Sequence, residues 1–135
     1  MAFDLVEDIS KLIEDAISEV TVKGELPADD IDAIAVIPSG GFAPTHTFGG
    51  NGNQKPAYIE PTFQVSCKHV SGTTLLTWWD AIKEALDGKI NYTPKSTGRT
   101  YLVIKQNGDV ISLGRDENRR HIQALNFETM IVNAY

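Results

Sequence analysis

The chain has little of what several common protein classes require. Its 135 residues include a single cysteine, Cys67, which excludes an intrachain disulfide and a zinc site built on cysteines. It has no apolar run near the roughly 18 residues that a membrane-spanning helix needs. The first residues, Met-Ala-Phe-Asp, lack the basic and then apolar order of a signal peptide. These absences favour a small globular domain of the intracellular type.

Positive charge is also scarce. Twelve lysines and arginines against 18 aspartates and glutamates give a net charge of −6. Binding to nucleic-acid phosphates requires a cationic surface, so we expect no measurable binding to duplex DNA at physiological salt. The hydrophobic fraction of 41% and the charged fraction of 22% are ordinary for a folded protein, and the length predicts a single domain, residues 1–135.

Two segments have the three- and four-residue spacing of amphipathic helices. The apolar positions of the first are Leu5, Ile9, Leu12, Ile13, Ala16, Ile17 and Val20, and Lys23-Gly24 suits its end. The second begins near the capping residues Ser71–Thr74 and ends at Asp87-Gly88, with Leu75, Trp79, Ile82 and Leu86 on one stripe. Trp78 falls at the border of that stripe. Either a wide apolar face buries both tryptophans, or one of them contacts a partner, for which Trp78 is the candidate.

Short apolar or alternating segments predict the strands, which we place at 33–37, 58–70, 100–106, 109–113 and 121–132. Pro38 should stop the first of them, and Pro61 should lie at a sheet edge, a bulge or a strand start. Asn107-Gly108 predicts a two-residue hairpin that pairs Ile104 with Ile111 and Leu102 with Leu113 on a buried face. The order of elements predicts an α+β fold, a mostly antiparallel sheet with both helices on one face.

The least regular stretch runs from Ser39 to Pro56 and contains five glycines, two prolines and two asparagines. Such a composition predicts an extended, flexible loop, and a loop of this length in a small domain is usually functional or mobile. Its glycine runs lack the Gly-Lys-Ser/Thr ending of a phosphate-binding loop, and neither leads into a predicted helix.

Chemically active residues are few and scattered. The histidines His46, His69 and His121 lie in three separate segments, and only Cys67 and His69 share a strand face. We therefore predict no enzyme, no metal and no cofactor. A small ligand-binding or catalytic domain that uses the glycine-rich loop and His46 remains the alternative of a different class. The charged segment Arg115–Arg120 is typical of a solvated turn, and its side chains could form ion pairs between subunits.

Several ordered segments together resemble the bacteriophage tail terminator and minor capsid (head–tail joining) proteins. The resemblance is carried by the N-terminal helix, the strand ending near Pro38, Ile59–Val65 and the helix that closes in Leu86-Asp87-Gly88. It continues in Gly114–Arg119 and in Leu125-Asn126-Phe127-Glu128. The glycine-rich loop and the Trp78-Trp79 pair lie outside the matching pattern.

The resemblance implies a structural virion protein that forms a ring, typically a hexamer, at the head-proximal end of the phage tail. Such a ring stops tail polymerisation and joins the tail to the head. The implied partners are a second copy of the chain, the major tail tube protein and the head–tail connector, with DNA passing through unbound and assembly in the host cytoplasm. A head-completion or other minor capsid role is the nearest alternative. The candidate interface residues are Gly40, Gly41, Phe42, His46, Phe48, Asn51, Pro61, Trp78, Arg115, Arg119 and Arg120.

Overall fold

The computed structural model describes residues 5–17, 22–23, 32–45, 58–92, 100–115 and 119–132. Its elements are α1 (Leu5–Ala16), β1 (Val22–Lys23), β2 (Ala33–Thr45), β3 (Tyr58–His69), α2 (Gly72–Leu86), β4 (Lys89–Tyr92), β5 (Thr100–Arg115) and β6 (His121–Val132). The strands form one six-stranded sheet in the order β1-β2-β3-β6-β5-β4. Every neighbouring pair is antiparallel except β1–β2, so the predicted α+β class is confirmed.

Helices α1 and α2 pack on one face of the sheet, as the apolar stripes predicted. The helices contribute Leu5, Ile9, Ile13, Leu75, Trp78, Trp79, Ile82 and Leu86 to the core. The sheet contributes Ile34, Val36, Phe63, Val65, Cys67, Tyr101, Ile104, Leu125, Phe127 and Ile131. Phe63 and Phe127 stack at its centre, with ring centroids 5.3 Å apart. Neither described helix is long and apolar enough to cross a membrane.

Helix α2 has the ends that its sequence predicts. The Ser71 hydroxyl accepts a hydrogen bond from the Thr74 N–H at 3.3 Å, which satisfies one of the free donors of the first turn. At the other end the Asp87 N–H donates to the Lys83 carbonyl, and Gly88 takes a left-handed conformation with φ +78°.

The short strands β1 and β4 are not predicted by the sequence pattern. Strand β1 lies at the position predicted for the end of the first helix, and β4 lies in a segment to which the sequence pattern assigns no helix or strand. Both are edge strands of two to four residues, and they pair over Ile34–Ala35 and Tyr101–Ile104 respectively. Strands this short carry too few residues for a visible alternation, so the neighbouring strand decides their conformation.

The predicted hairpin at Asn107-Gly108 is wrong. Strand β5 continues through this dipeptide, and Asn107 pairs with Asn126 of β6. The register shifts between Asn107 and Ile111, and this bulge accommodates Gly108 at φ +87°. Because β6 offers a partner along the whole of β5, the long ladder overrides the local turn signal. The chain reverses instead after Arg115.

The expected loop from Ser39 is also wrong in its first part. Strand β2 continues through Pro38 to Thr45, with register shifts after Pro38 and after Phe42. The irregular pairing at these bulges accommodates the proline and the glycines within the strand, and β3 remains the hydrogen-bonding partner of β2 on either side of them. The remainder of the predicted loop, residues 46–56, lies outside the described residues.

Candidate functional site

The second half of strand β5 forms an exposed arm, which we define as Asn107–Arg115. Strand β4 pairs with β5 only over Tyr101–Ile104, and among the described residues no strand covers the outer edge of the arm. Ile111 and Leu113 on the arm are 49% and 58% exposed. An uncovered strand edge with exposed apolar side chains is a recurrent site of contact between chains.

The base of the arm is held by the C-terminal end of helix α2. Asp87 accepts a hydrogen bond from the Gln106 N–H at 2.8 Å, and Lys83 lies 3.4 Å from the carboxylate of Asp109. The Val110 N–H donates to the same carboxylate at 2.7 Å. This hydrogen bond, with Lys83 as the second cause, lowers the pKa of Asp109. The arm is therefore fixed at its start and exposed beyond it.

A cluster of polar groups around Asp32, here called the polar junction, lies at the end of the sheet where the arm ends. Asp32, just before β2, accepts a hydrogen bond from Arg120 Nε at 3.0 Å and another from the Val70 N–H at 3.1 Å. Its second carboxylate oxygen lies 3.4 Å from His69 Nε2. One carboxylate thus joins the start of β2, the end of β3 and the start of β6.

The hydrogen bonds of His69 assign its proton. The Ser71 N–H donates to His69 Nδ1 at 2.8 Å, so the neutral imidazole carries its hydrogen on Nε2, which faces Asp32. The ring also lies edge-on to Trp78, with centroids 4.9 Å apart. Both ring nitrogens are occupied by partners, and the arrangement is that of a structural histidine.

Cys67 and His69, which share a face of β3, are not arranged as a metal site or as a thiolate–imidazole pair. Cys67 is buried in the core, and its burial raises the pKa of the thiol well above the usual range. Within the described ranges no group of three or more histidine, cysteine, aspartate and glutamate side chains is placed to hold a metal ion.

A depression of about 210 Å³, here called the outer depression, lies on the sheet face opposite the helices, because Val103, Lys105 and Glu128 in its lining alternate with the core residues Ile104 and Phe127. It is lined by Glu60, Val103, Lys105, Glu128, Thr129 and Met130. Lys105 forms an ion pair with Glu128 at 2.9 Å. That hydrogen-bonded carboxylate, helped by the charge of Glu60, raises the pKa of Lys105. Two carboxylates against one ammonium leave the outer depression with excess negative charge.

The structure separates the predicted interface residues into two groups at opposite ends of the sheet. Arg115 and Arg119 are exposed at the end that contains the polar junction, and Arg120 is held there by Asp32. Gly40, Gly41 and Phe42 lie in the second half of β2, beside Glu60 and Pro61 of β3. His46, Phe48 and Asn51 lie outside the described residues.

Two of the predicted interface residues need correction. Trp78 is 5% exposed and Trp79 is 3% exposed, so the wide apolar face buries both tryptophans and Trp78 is not available to a partner. Trp79 Nε1 donates to Gln123 Oε1 at 2.8 Å. Pro61 lies in an interior strand, and the expected sheet edge is therefore wrong; the adjacent register shift in β2 agrees with the alternative of a bulge.

The polar junction and the outer depression were missed by sequence reasoning. Asp32 lies 38 residues from Val70 and 88 residues from Arg120, and no local pattern connects them. The outer depression likewise combines side chains from three strands. Only the arm has a local sequence pattern, the alternation of Ile111 and Leu113. The pattern predicts a strand with these residues on a buried face, and the structure has the strand with both residues exposed.

A family model described as bacteriophage tail terminator protein matches residues 5–133, which includes every described element. A search of the curated proteins gave no match to the chain.

Proposed function

The chain belongs to the bacteriophage tail terminator protein family, whose members are structural proteins of the phage tail, and we propose that its subunits form a ring at the head-proximal end of the tail tube. The observation that carries this proposal is the family match over almost the entire chain. In that position the ring stops polymerisation of the tube and joins the tail to the head.

The distribution of surfaces on the subunit supports a ring. A closed ring of identical subunits uses heterologous contacts, in which one patch of a subunit meets a different patch on its neighbour. The arm, with its exposed Ile111 and Leu113, lies at one end of the sheet. The outer depression, with Glu60 and Glu128, lies toward the other end. The subunit thus has two unlike surfaces at separate places, and we propose a hexamer as the closed form.

The second half of β2 and the segment that follows it are the proposed contact with the tail tube protein or the head–tail connector. Thr45 pairs with Tyr58, so residues 46–57 connect two strands that are already adjacent. The fold does not need twelve residues for that connection, because two-residue turns are sufficient between paired strands. We infer that this length serves assembly.

Replacement of residues 46–57 by Asn-Gly tests this contact. We expect the circular dichroism spectrum and the urea midpoint to remain close to those of the original protein, while infectious particles are lost. Normal yields of infectious phage from the shortened protein would contradict the assigned contact.

The acidity of the chain suits a channel for DNA. We propose that DNA passes through the ring without binding, because a subunit with a net charge of −6 repels the phosphates of DNA. Gel-shift titration with duplex DNA at physiological salt checks this, and micromolar binding would count against it.

The role itself is tested with the parent phage carrying a nonsense mutation in this gene. For a terminator, electron microscopy should show tails of uncontrolled length, and supply of the intact chain should restore uniform tails. Tails of normal length together with heads that fail to join would instead indicate the head-completion role. The measured quantity is the distribution of tail lengths in matched lysates.

A further inference from the structure

The dipeptide Asn107-Gly108 lies at the base of the arm, in a bulge instead of the predicted turn. Asn107 is exposed, and its side-chain amide makes no hydrogen bond with the described residues. Gly108 is also exposed and holds φ +87°, a conformation that a residue with a Cβ atom rarely takes. Apart from its chain neighbours, no described residue has an atom within 4 Å of the place where a Cβ would stand. The dipeptide is therefore open to water.

The backbone N–H of Gly108 points away from strand β6. The Gln106 N–H donates to Asp87 at 2.8 Å, outside the ladder that β5 forms with β6. Because successive residues of a strand alternate between its two edges, the N–H of Asn107 faces its partner Asn126, and the N–H of Gly108 faces the outer edge. Within the described ranges no strand covers that edge of the arm. The Gly108 nitrogen is thus left out of the ladder.

An asparagine followed by glycine carries both groups that an intramolecular substitution needs. The nitrogen of the glycine, after loss of its proton, attacks the side-chain carbon Cγ and closes a five-membered succinimide ring. The Cγ–Nδ2 bond breaks, and Nδ2 leaves as ammonia with a proton equivalent to the one lost. Glycine favours this attack because it has no Cβ to obstruct the ring. Water then opens the ring: addition at Cγ gives aspartate, and addition at the main-chain carbonyl carbon gives isoaspartate.

We propose that Asn107 is a site of spontaneous deamidation in the folded chain, with the Gly108 nitrogen as the nucleophile and water as the only co-reactant. Both products add a negative charge at the base of the arm, close to Asp109. In the isoaspartyl product the main chain runs through Cβ and Cγ and gains one atom before Gly108. The arm beyond that point is then displaced relative to β6, so its pairing should weaken. The reaction takes place within one subunit and is independent of the proposed ring.

Two other asparagines in the described strands are internal controls, because neither precedes a glycine. Asn126 lies in an interior strand and precedes Phe127, which is buried in the core. Asn91 is exposed on β4, but it precedes Tyr92, whose Cβ hinders closure of the ring. We expect both residues to stay unmodified while Asn107 reacts. Conversion of either control at the same rate as Asn107 would overturn the proposal.

Peptide mapping of the full chain measures the reaction. The purified protein is kept folded at neutral pH, and trypsin then cleaves after Lys105 and Arg115 to release a peptide in which Asn107 is the only asparagine. The second Asn-Gly pair, Asn51-Gly52, falls in a different peptide. Mass spectrometry detects the exchange of NH for O, and chromatography separates the aspartyl from the isoaspartyl form. A sample digested at time zero corrects for conversion during digestion.

We expect the modified fraction to grow with time, and faster at mildly alkaline pH, because the attacking nitrogen must lose its proton. The variant Asn107→Gln is the matched control. Its side chain is one methylene longer and would have to close a six-membered ring, so its peptide should stay unmodified. Equal conversion in Asn107→Gln would overturn the assignment to this residue.

The same measurement in urea tests whether the folded structure exposes the site. A site that reacts only after global unfolding is slowed by the folding equilibrium, about a thousandfold or more for a stable domain. Asn107, at an open bulge, should instead react in the folded chain within about tenfold of its rate in the unfolded chain. An unmodified Asn107 in the folded chain, with conversion in urea, overturns the proposal, as does the absence of conversion in both states.

Hydrogen exchange on the converted protein tests the effect on the arm. We expect the isoaspartyl form to exchange faster at residues 109–115 and at the original rate at 101–104. Asn107→Asp adds the same charge without the extra main-chain atom, and it should exchange as the original chain does. Unchanged exchange in the isoaspartyl form would overturn the weakening of the arm, and an equal acceleration in Asn107→Asp would overturn its assignment to the longer main chain.

Discussion

The two halves of strand β5 have similar residues and opposite surroundings. In the first half, Tyr101 and Ile104 are fully buried beneath the helices, and β4 covers the outer edge of the strand. In the second half, Ile111 and Leu113 are about half exposed, and beyond Val110 the described residues provide neither a helix nor a strand to cover that edge. Both halves pair with β6. The comparison shows that alternation of apolar residues predicts a strand, whereas burial depends on what packs against it.

The largest expected effect comes from one substitution made in each half. Ile104→Ala should lower the free energy of unfolding by about 2–5 kcal/mol, because it removes fully buried methyl groups and leaves a cavity. Ile111→Ala, at a half-exposed position, should cost less than about 1 kcal/mol. Urea denaturation of both variants gives the two values, and equal losses would abolish the distinction between the halves.

A smaller effect is expected at the buried polar contact of the first half. The Tyr101 hydroxyl donates to Asp8 Oδ2 at 2.9 Å, in a place where both side chains are buried. Tyr101→Phe removes this donor from a buried carboxylate and should cost about 1–3 kcal/mol. Tyr92→Phe, in the partly buried ring beside it, is the matched control with a smaller loss. An unchanged urea midpoint for Tyr101→Phe would mean that the hydrogen bond contributes nothing.

The polar junction lies at the end of the arm, and a substitution there tests whether the second half of β5 can be loosened without a change in the first half. Arg115 pairs with His121, which follows the Arg120 held by Asp32. Asp32→Ala should cost about 1–2 kcal/mol, because three donors lose their acceptor at a partly exposed site. Hydrogen exchange should accelerate at 111–115 and stay unchanged at 101–104. Asp80→Ala, at an exposed position of α2, is the control that should alter neither segment.

The smallest effect concerns the base of the arm. The pKa of Asp109 is lowered first by the Val110 N–H and then by Lys83, so Lys83→Ala should raise that pKa only part of the way to its ordinary value. A group with a lowered pKa stabilises the fold above its unfolded pKa, and this contribution is lost as the pH falls through the lowered value. NMR titration of the Asp109 carboxyl measures the shift. Complete return to the ordinary value would assign the whole effect to Lys83.

Much of the helix-covered core could be predicted from the sequence. The stripe of α2, its cap at Ser71 and its end at Asp87-Gly88 all appear in the structure, because helix spacing and capping depend on residues within one or two turns. The short apolar segment that begins β2 was also placed correctly, and it is buried through Val36. These features are local, and local sequence is sufficient for them.

The candidate site could be predicted only in fragments. Arg115 and Arg119 were selected as charged turn residues, and they are exposed at the end of the arm. The outer depression escaped prediction because Glu60, Lys105 and Glu128 are distant in sequence and meet only through the β3–β6–β5 pairing. Helix geometry places Trp78 at the border of the apolar stripe and leaves open whether it is buried or contacts a partner; the covered face is wide enough to bury it.

The sequence by itself determined the class of the protein: an acidic α+β domain with two amphipathic helices, strands of alternating pattern, and the resemblance to tail terminator proteins that the family match bears out. The tertiary structure alone decided where the chain turns and what remains exposed. A glycine turn signal such as Asn107-Gly108 is worth little against a ladder of sixteen residues. Strand pairing depends on residues far apart in the sequence, and one bulge changes which residues face the core and which remain exposed.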